Sequence, residues 1–220
     1  MTNTQPCGDA SAQHSAPLPE VATPFSAREL GTALYLPHRA MDMVLTDRQR
    51  WLATVGQRSL VARLLTVTLV VGCVFSLPYG MLLGAERFWQ VAALYLGSVL
   101  ICFPSLHVFS AFLGVRVGLG QSLSLAVLIS AVAAIFTFGF FPIVWFLSAT
   151  MTHKSSAGTL QVISTVLLTV SLGAGLIQLG RCLRAGTLLQ QGRTLPVLII
   201  FWQVLLVFIT YRMGLHLGIV

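Results

Sequence analysis

Five nearly unbroken apolar stretches follow one another along this chain: Leu64–Leu83, Phe88–Leu113, Leu123–Leu147, Leu160–Leu179 and Leu195–Tyr211. A helix rises about 1.5 Å per residue and needs about 20 apolar residues to cross the hydrocarbon of a bilayer. In lipid each backbone N–H and C=O must be satisfied inside the protein, and a helix does this within one segment. The expected fold is therefore all-α, a polytopic membrane protein with five transmembrane helices. The last stretch is the shortest. It gains length if the helix continues past Arg212 toward Val220 with that side chain snorkelling to the interface.

Charge patterning agrees with this reading. Only 9% of the 220 residues are charged, against roughly 25% in a soluble domain. All six acids lie at or before Glu86, so no carboxylate side chain exists from Arg87 to Val220. A Ser/His/carboxylate set and a carboxylate-based ion-coupling site are both excluded from that whole region. The net charge of +7 would point to nucleic acid in a soluble protein. Here the basic residues sit between the apolar stretches, where they set orientation instead. Arg48, Arg50, Arg58, Arg63, Arg116, Arg181, Arg184 and Arg193 fall on one side, and Arg87, Lys154 and Arg212 on the other. The excess predicts a cytoplasmic N-terminus and an outside C-terminus, and fits a bacterial inner membrane. Cys7, Cys73, Cys102 and Cys182 have neither metal-ligand nor redox spacing and read as apolar fillers.

The residues before the first span divide in two. Residues 1–25 are rich in Pro, Ser, Ala and Thr and are expected to be a disordered tail. Residues 26–63 are expected to be cytoplasmic juxtamembrane helices, ahead of a transmembrane domain at 64–220. Ser26 and Glu29 form a capping box that predicts a helix from Ala27 to about Leu36, ended by Pro37. A second piece covers Arg39–Leu45. Thr46 and Gln49 form another box, opening a helix that is expected to lie on the membrane surface with Trp51 near the headgroups.

Few residues in the spans could carry chemistry. His107, in Phe103-Pro104-Ser105-Leu106-His107, is either a metal or haem ligand or proton relay, or a histidine bonded to a carbonyl freed by Pro104; the second is expected. Pro104 and Pro142 remove helix hydrogen bonds and bear on bundle packing. Arg116 joins His107, Pro104 and Pro142 as a functional or packing candidate. Ser76, Gly80 and Gly84 form a small-residue stripe, as do Ala126, Ser130 and Ala134, and Gly114 with Gly118, and such stripes let helices approach closely. No catalytic, metal or cofactor site is expected.

The layout resembles the Yip1-domain family over roughly Leu30 to Tyr211. The local likeness lies in Ala33-Leu34-Tyr35-Leu36-Pro37 before the first span and in Phe103-Pro104-Ser105-Leu106-His107-Val108-Phe109 within the second. The acidic-tyrosine-glycine-proline segment of the eukaryotic members is missing, so their small-GTPase partners are not carried over. The resemblance implies a non-enzymatic protein that organises membrane or recruits to it, with no catalytic residues. The expected partners are the lipid bilayer, a cytoplasmic protein reached through residues 1–63, and further copies of the chain, with no nucleic acid. The alternatives are a small permease or transporter subunit with a path near His107, and a haem-binding electron carrier using His107 and His216.

Overall fold

A computed structural model describes residues 23–84, 88–112, 118–150, 157–185 and 194–219. Among them every regular element is an α-helix: α1 (Ala27–Tyr35), α2 (Pro37–Leu45), α3 (Arg48–Val55), α4 (Arg58–Leu83), α5 (Gln90–Phe112), α6 (Leu119–Thr150), α7 (Ala157–Ala185) and α8 (Thr194–His216). Four of these are long and apolar enough to cross a membrane: Ser59–Leu82, Gln90–Phe109, Leu119–Thr150 and Gly158–Cys182. They fit an integral multi-pass membrane protein. A shorter apolar stretch, Ile200–His216, lies in α8. The tail expected at residues 1–25 falls outside the described residues up to position 22, and Arg116 and Gly114 also lie outside them.

The long helices run alternately up and down. α6 is the centre, packed against α4, α5 and α7, while α8 is held mainly by α5. From Ser122 to Ile135 nearly every side chain of α6 is buried. Small residues make this feasible: Ala126, Ala131, Ala133 and Ala134 are sealed by their neighbours. The predicted stripe Ala126, Ser130 and Ala134 is thus a packing seam. Glycines mark further close approaches: a Cβ at Gly80, in the predicted Ser76–Gly80–Gly84 stripe, would run into the Phe88 carbonyl oxygen. A Cβ at Gly175 of α7 would stand 2.6 Å from the Ile129 carbonyl oxygen of α6. A Cβ at Gly72 of α4 would stand 3.7 Å from the Ala131 nitrogen.

Past Ile135 the character of α6 changes. Phe136, Phe138, Ile143, Trp145 and Phe146 are exposed. Gly72 faces Ala131 and Gly120 faces Val61, and both pairs give the same register, so Leu83, the last residue of α4, lies level with Pro142. α6 then runs on for about two more turns. Gly84, with φ of 136°, closes α4 in a conformation open to glycine. It serves there as a helix end instead of extending the Ser76–Gly80 stripe.

Helices α1–α3 form a cap on the bundle end where α4 and α6 begin. The capping box at α1 is formed: Ser26 N–H donates to Glu29 Oε2 at 2.7 Å and Glu29 N–H to Ser26 Oγ at 3.2 Å. Two expectations for α3 fail. Its N-cap is Asp47, which makes no side-chain capping bond, so the Thr46–Gln49 box does not form. Trp51 is 1% exposed; α3 packs against α2, α4 and α7 and closes the bundle end instead of floating at the headgroups. An apolar face turned to lipid and one turned to protein look alike in sequence, which is why the amphipathic pattern misplaced it.

Candidate functional site

Charged side chains collect in the cap. A cleft of about 180 Å³ is lined by Phe25, Glu29, Thr32, Ala33, Arg39, Asp42, Met43 and Asp47. It therefore holds half of the six acids in the chain. One wall is fixed by Arg50 of α3. Its Nη2 donates to both Glu29 oxygens, at 3.1 and 3.2 Å, and its Nε donates to the Thr23 carbonyl at 3.2 Å. The guanidinium also lies 4.4 Å from the centre of the Phe25 ring and 3.8 Å from Asp47. A planar cation offers several donors and a stacking face together, which an ammonium cannot. The Ser26 backbone N–H and Arg50 together hold the Glu29 carboxyl below the usual glutamate range. Asp42 forms no ion pair among the described residues and stays exposed at the cleft mouth.

The cap is tied down through its helix ends. Phe25 N–H donates to Thr54 Oγ1 at 2.9 Å. Gln121 of α6 donates to the Val55 carbonyl at the end of α3, at 3.0 Å. Gln178 of α7 donates to the Leu45 carbonyl at the end of α2, at 3.1 Å. Final-turn carbonyls have no partner within their own helix, so these amides satisfy groups that would otherwise be buried unpaired.

Several buried hydroxyls bond back to the preceding turn of their own helix, as Thr68 does to Leu64, and a few polar groups join neighbouring helices. Tyr79 and Ser164 share a hydrogen bond of 3.0 Å between α4 and α7, and Tyr95 and Thr137 one of 2.8 Å between α5 and α6. Ser130 donates to the Tyr95 carbonyl at 3.1 Å. Trp202 Nε1 donates to the Cys102 carbonyl at 3.0 Å, which joins α8 to α5. Such bonds contribute about 0.6 kcal/mol each inside a membrane. A second recess of about 170 Å³ opens between α5, α7 and α8, bordered by Leu94, Tyr95, Leu168, Val207 and Tyr211 among others. Its lining is largely apolar.

Among the residues singled out from the sequence, Pro104 lies inside α5 and Pro142 inside α6. His107 is half-buried and stacks on Phe103, with ring centres 6.2 Å apart. The Trp202–Cys102 bond separates His107 from His216. Along α8, His216 lies about 20 Å beyond Trp202, while His107 lies past Cys102 in the opposite direction. A haem with these two axial ligands does not fit one chain. The structure brings His107, Pro104 and Pro142 into no common site. Arg50, by contrast, was not visible as a centre, because Glu29 and Thr23 are over twenty residues away in sequence.

No protein-family model matches the chain, and no curated protein or solved structure matches it either.

Proposed function

We propose that the chain is a non-enzymatic membrane scaffold of the Yip1-like type, anchored by five spans and recruiting a polypeptide through its N-terminal cap. α8 is the fifth span in this reading: it is 23 residues long, about 35 Å, and its outward residues Ile200, Phe201, Val204 and Phe208 are apolar. In this reading the N-terminus lies on the cytoplasmic side of a bacterial inner membrane, the orientation the arginine bias favours.

One observation carries the reading. The cap brings opposite charges together in one cleft, with Arg39 beside Glu29, Asp42 and Asp47, while the interior hydroxyls bond to neighbouring helices or back to their own. A cleft of mixed sign, fixed by Arg50 and by buried amides, is suited to holding a polypeptide in one orientation. It offers no nucleophile paired with a base.

The test is crosslinking in native membranes followed by capture of the full chain. Asp42→Lys reverses an exposed charge that forms no ion pair among the described residues, so it should lose the captured partner while the protein stays folded. The same captured set for wild type and Asp42→Lys would overturn the reading.

A further inference from the structure

The cap holds a second surface, chemically opposite to the cleft, at the elbow where α1 turns into α2. Its residues Leu34, Leu36 and Pro37 are exposed, and Tyr35 is 84% exposed. Where this elbow sits along the bundle decides what covers it.

The bundle carries its own depth scale. At the end where α4 finishes, the exposed aromatics Phe88, Trp89, Trp145 and Phe146 gather, and Trp favours the membrane–water interface. Counting back from Leu83 through a hydrocarbon of about 30 Å, at about 1.5 Å per residue, reaches the Arg63–Leu64 step. Arg63 is exposed, and the α4 face beyond it shows Leu69, Val74 and Met81 to the surroundings. The two limits agree: the hydrocarbon begins just after Arg63.

The elbow lies inside those limits. A crevice of about 40 Å³ between it and α4 is lined by Ala33, Leu34, Pro37 and Ala40 on one side and by Val67, Val70, Val71, Val74 and Phe75 on the other. Those α4 residues lie about 6 to 18 Å past Arg63 along the helix. Meanwhile the start of α1 is held beside α3 by the Phe25–Thr54 bond, and the end of α2 by Gln178. α1 is thus rooted at the aqueous end beside α3, α2 returns to α3 at Asp47, and the turn between them points inward.

The local chemistry suits that depth. No charged residue occurs from Leu30 to Pro37. Leu36 N–H donates to the Thr32 carbonyl at 3.1 Å, and the Leu36 carbonyl accepts from Ala40 N–H at 3.2 Å. Pro37, first residue of α2, has no N–H to leave open. These two bonds and the proline close part of the backbone at the break. The nearest titratable side chains, His38 and Arg39, stand on the arm that climbs back. Arg39 joins the charged cleft, the direction a snorkelling side chain takes.

We propose that α1 and α2 form a re-entrant hairpin whose Leu34-Tyr35-Leu36-Pro37 elbow is covered by phospholipid acyl chains of the leaflet in which α4 begins. Residues 30–37 are then part of the membrane domain, and only the roots of the cap meet water. This goes beyond the scaffold reading and does not depend on the identity of any partner.

Full-length protein in phosphatidylcholine vesicles tests it, with a spin label at Tyr35→Cys in a background where Cys7, Cys73, Cys102 and Cys182 are alanine. The label should collide with oxygen readily, and with a water-soluble nickel chelate at least about tenfold less often than a label at exposed Gln57→Cys, since charged reagents are excluded from hydrocarbon. Equal nickel collision at the two positions would place the elbow in water and overturn the proposal. Poor access to both reagents would mean that protein covers it, a second copy included, and would overturn it equally. Independently, benzoylphenylalanine at position 35 in the chain with its native cysteines should photocrosslink to lipid. Crosslinks to protein alone would count against the hairpin.

Discussion

In the cap, one guanidinium collects a carboxylate, a backbone carbonyl and an aromatic face, with a second carboxylate nearby, and two glutamines tie the helix ends to the bundle. Along the buried part of α6 there is no charge at all, and helices meet through Ala131, Ala134, Gly72 and Gly175. The cap borders water, where closing Trp51 away from solvent supplies the drive and polar bonds supply direction. The α6 seam is embedded where neighbouring helices and lipid tails are equally apolar. There, close fit and a few hydrogen bonds must supply what burial from water cannot.

The sharpest way to break this contrast is Trp51→Ala, which opens a void under the cap and should cost about 3–5 kcal/mol. Trp51→Phe should cost much less, because Trp51 Nε1 makes no hydrogen bond among the described residues. Chemical unfolding in detergent, read on both variants, checks the pair. Similar losses in both would mean that the indole N–H matters after all. Gly175→Ala attacks the other region. Its Cβ meets a backbone oxygen that cannot turn aside, so a loss of about 1–3 kcal/mol is expected, with thermal unfolding as the measure. An unchanged midpoint would show that α6 and α7 are less closely seated.

Arg50→Ala should act locally. Proteolysis between Thr23 and Leu45 should quicken by a factor corresponding to about 1 kcal/mol, while the α5–α8 pairing is untouched; Arg50→Lys should restore only part of the protection. The smallest expected effect comes from pH. The folded Glu29 carboxyl is held below its ordinary value, so its stabilising share is complete above about pH 4.3, the unfolded value, and fades as pH falls through the lower folded value. Hydrogen exchange of α1 amides should rise over that acidic window, and Glu29→Gln should abolish the dependence. Exchange that rises instead between neutral and mildly acidic pH would assign the effect to another group.

Much of this architecture was legible in the residues. The long apolar stretches gave four helices of spanning length within a residue or a few turns of their observed ends. Ser26 and Glu29 announced α1 correctly because a capping box is local chemistry. Thr46 and Gln49 offered the same pattern but lost to Asp47, since the chain entering α3 is set by contacts with α2 and α4. The stripe Ala126–Ser130–Ala134 showed one α6 seam, while Gly72, four residues before Ser76, and Gly175 mark contacts that only the partner helix reveals. In sequence Arg50 reads as an orientation charge, because its partner carboxylate is twenty-one positions away. The packing of the Leu-Tyr-Leu-Pro segment against Val67–Phe75 is likewise invisible in sequence, because the two segments lie thirty or more residues apart.

The overrun of α6 past the end of α4 carries a physical consequence for the surrounding bilayer. A 32-residue helix measures about 48 Å, against an average hydrocarbon thickness of about 30 Å. Its overrunning turns present Ile143, Trp145 and Phe146 outward, a set suited to the interface rather than to open water. Any part of the overrun that the interface does not hold is taken up by a lean of the helix or a stretch of the lipid, at a fraction of a kcal/mol per ångström. Lipid beside α6 therefore meets aromatic side chains about two turns farther out than lipid beside α4.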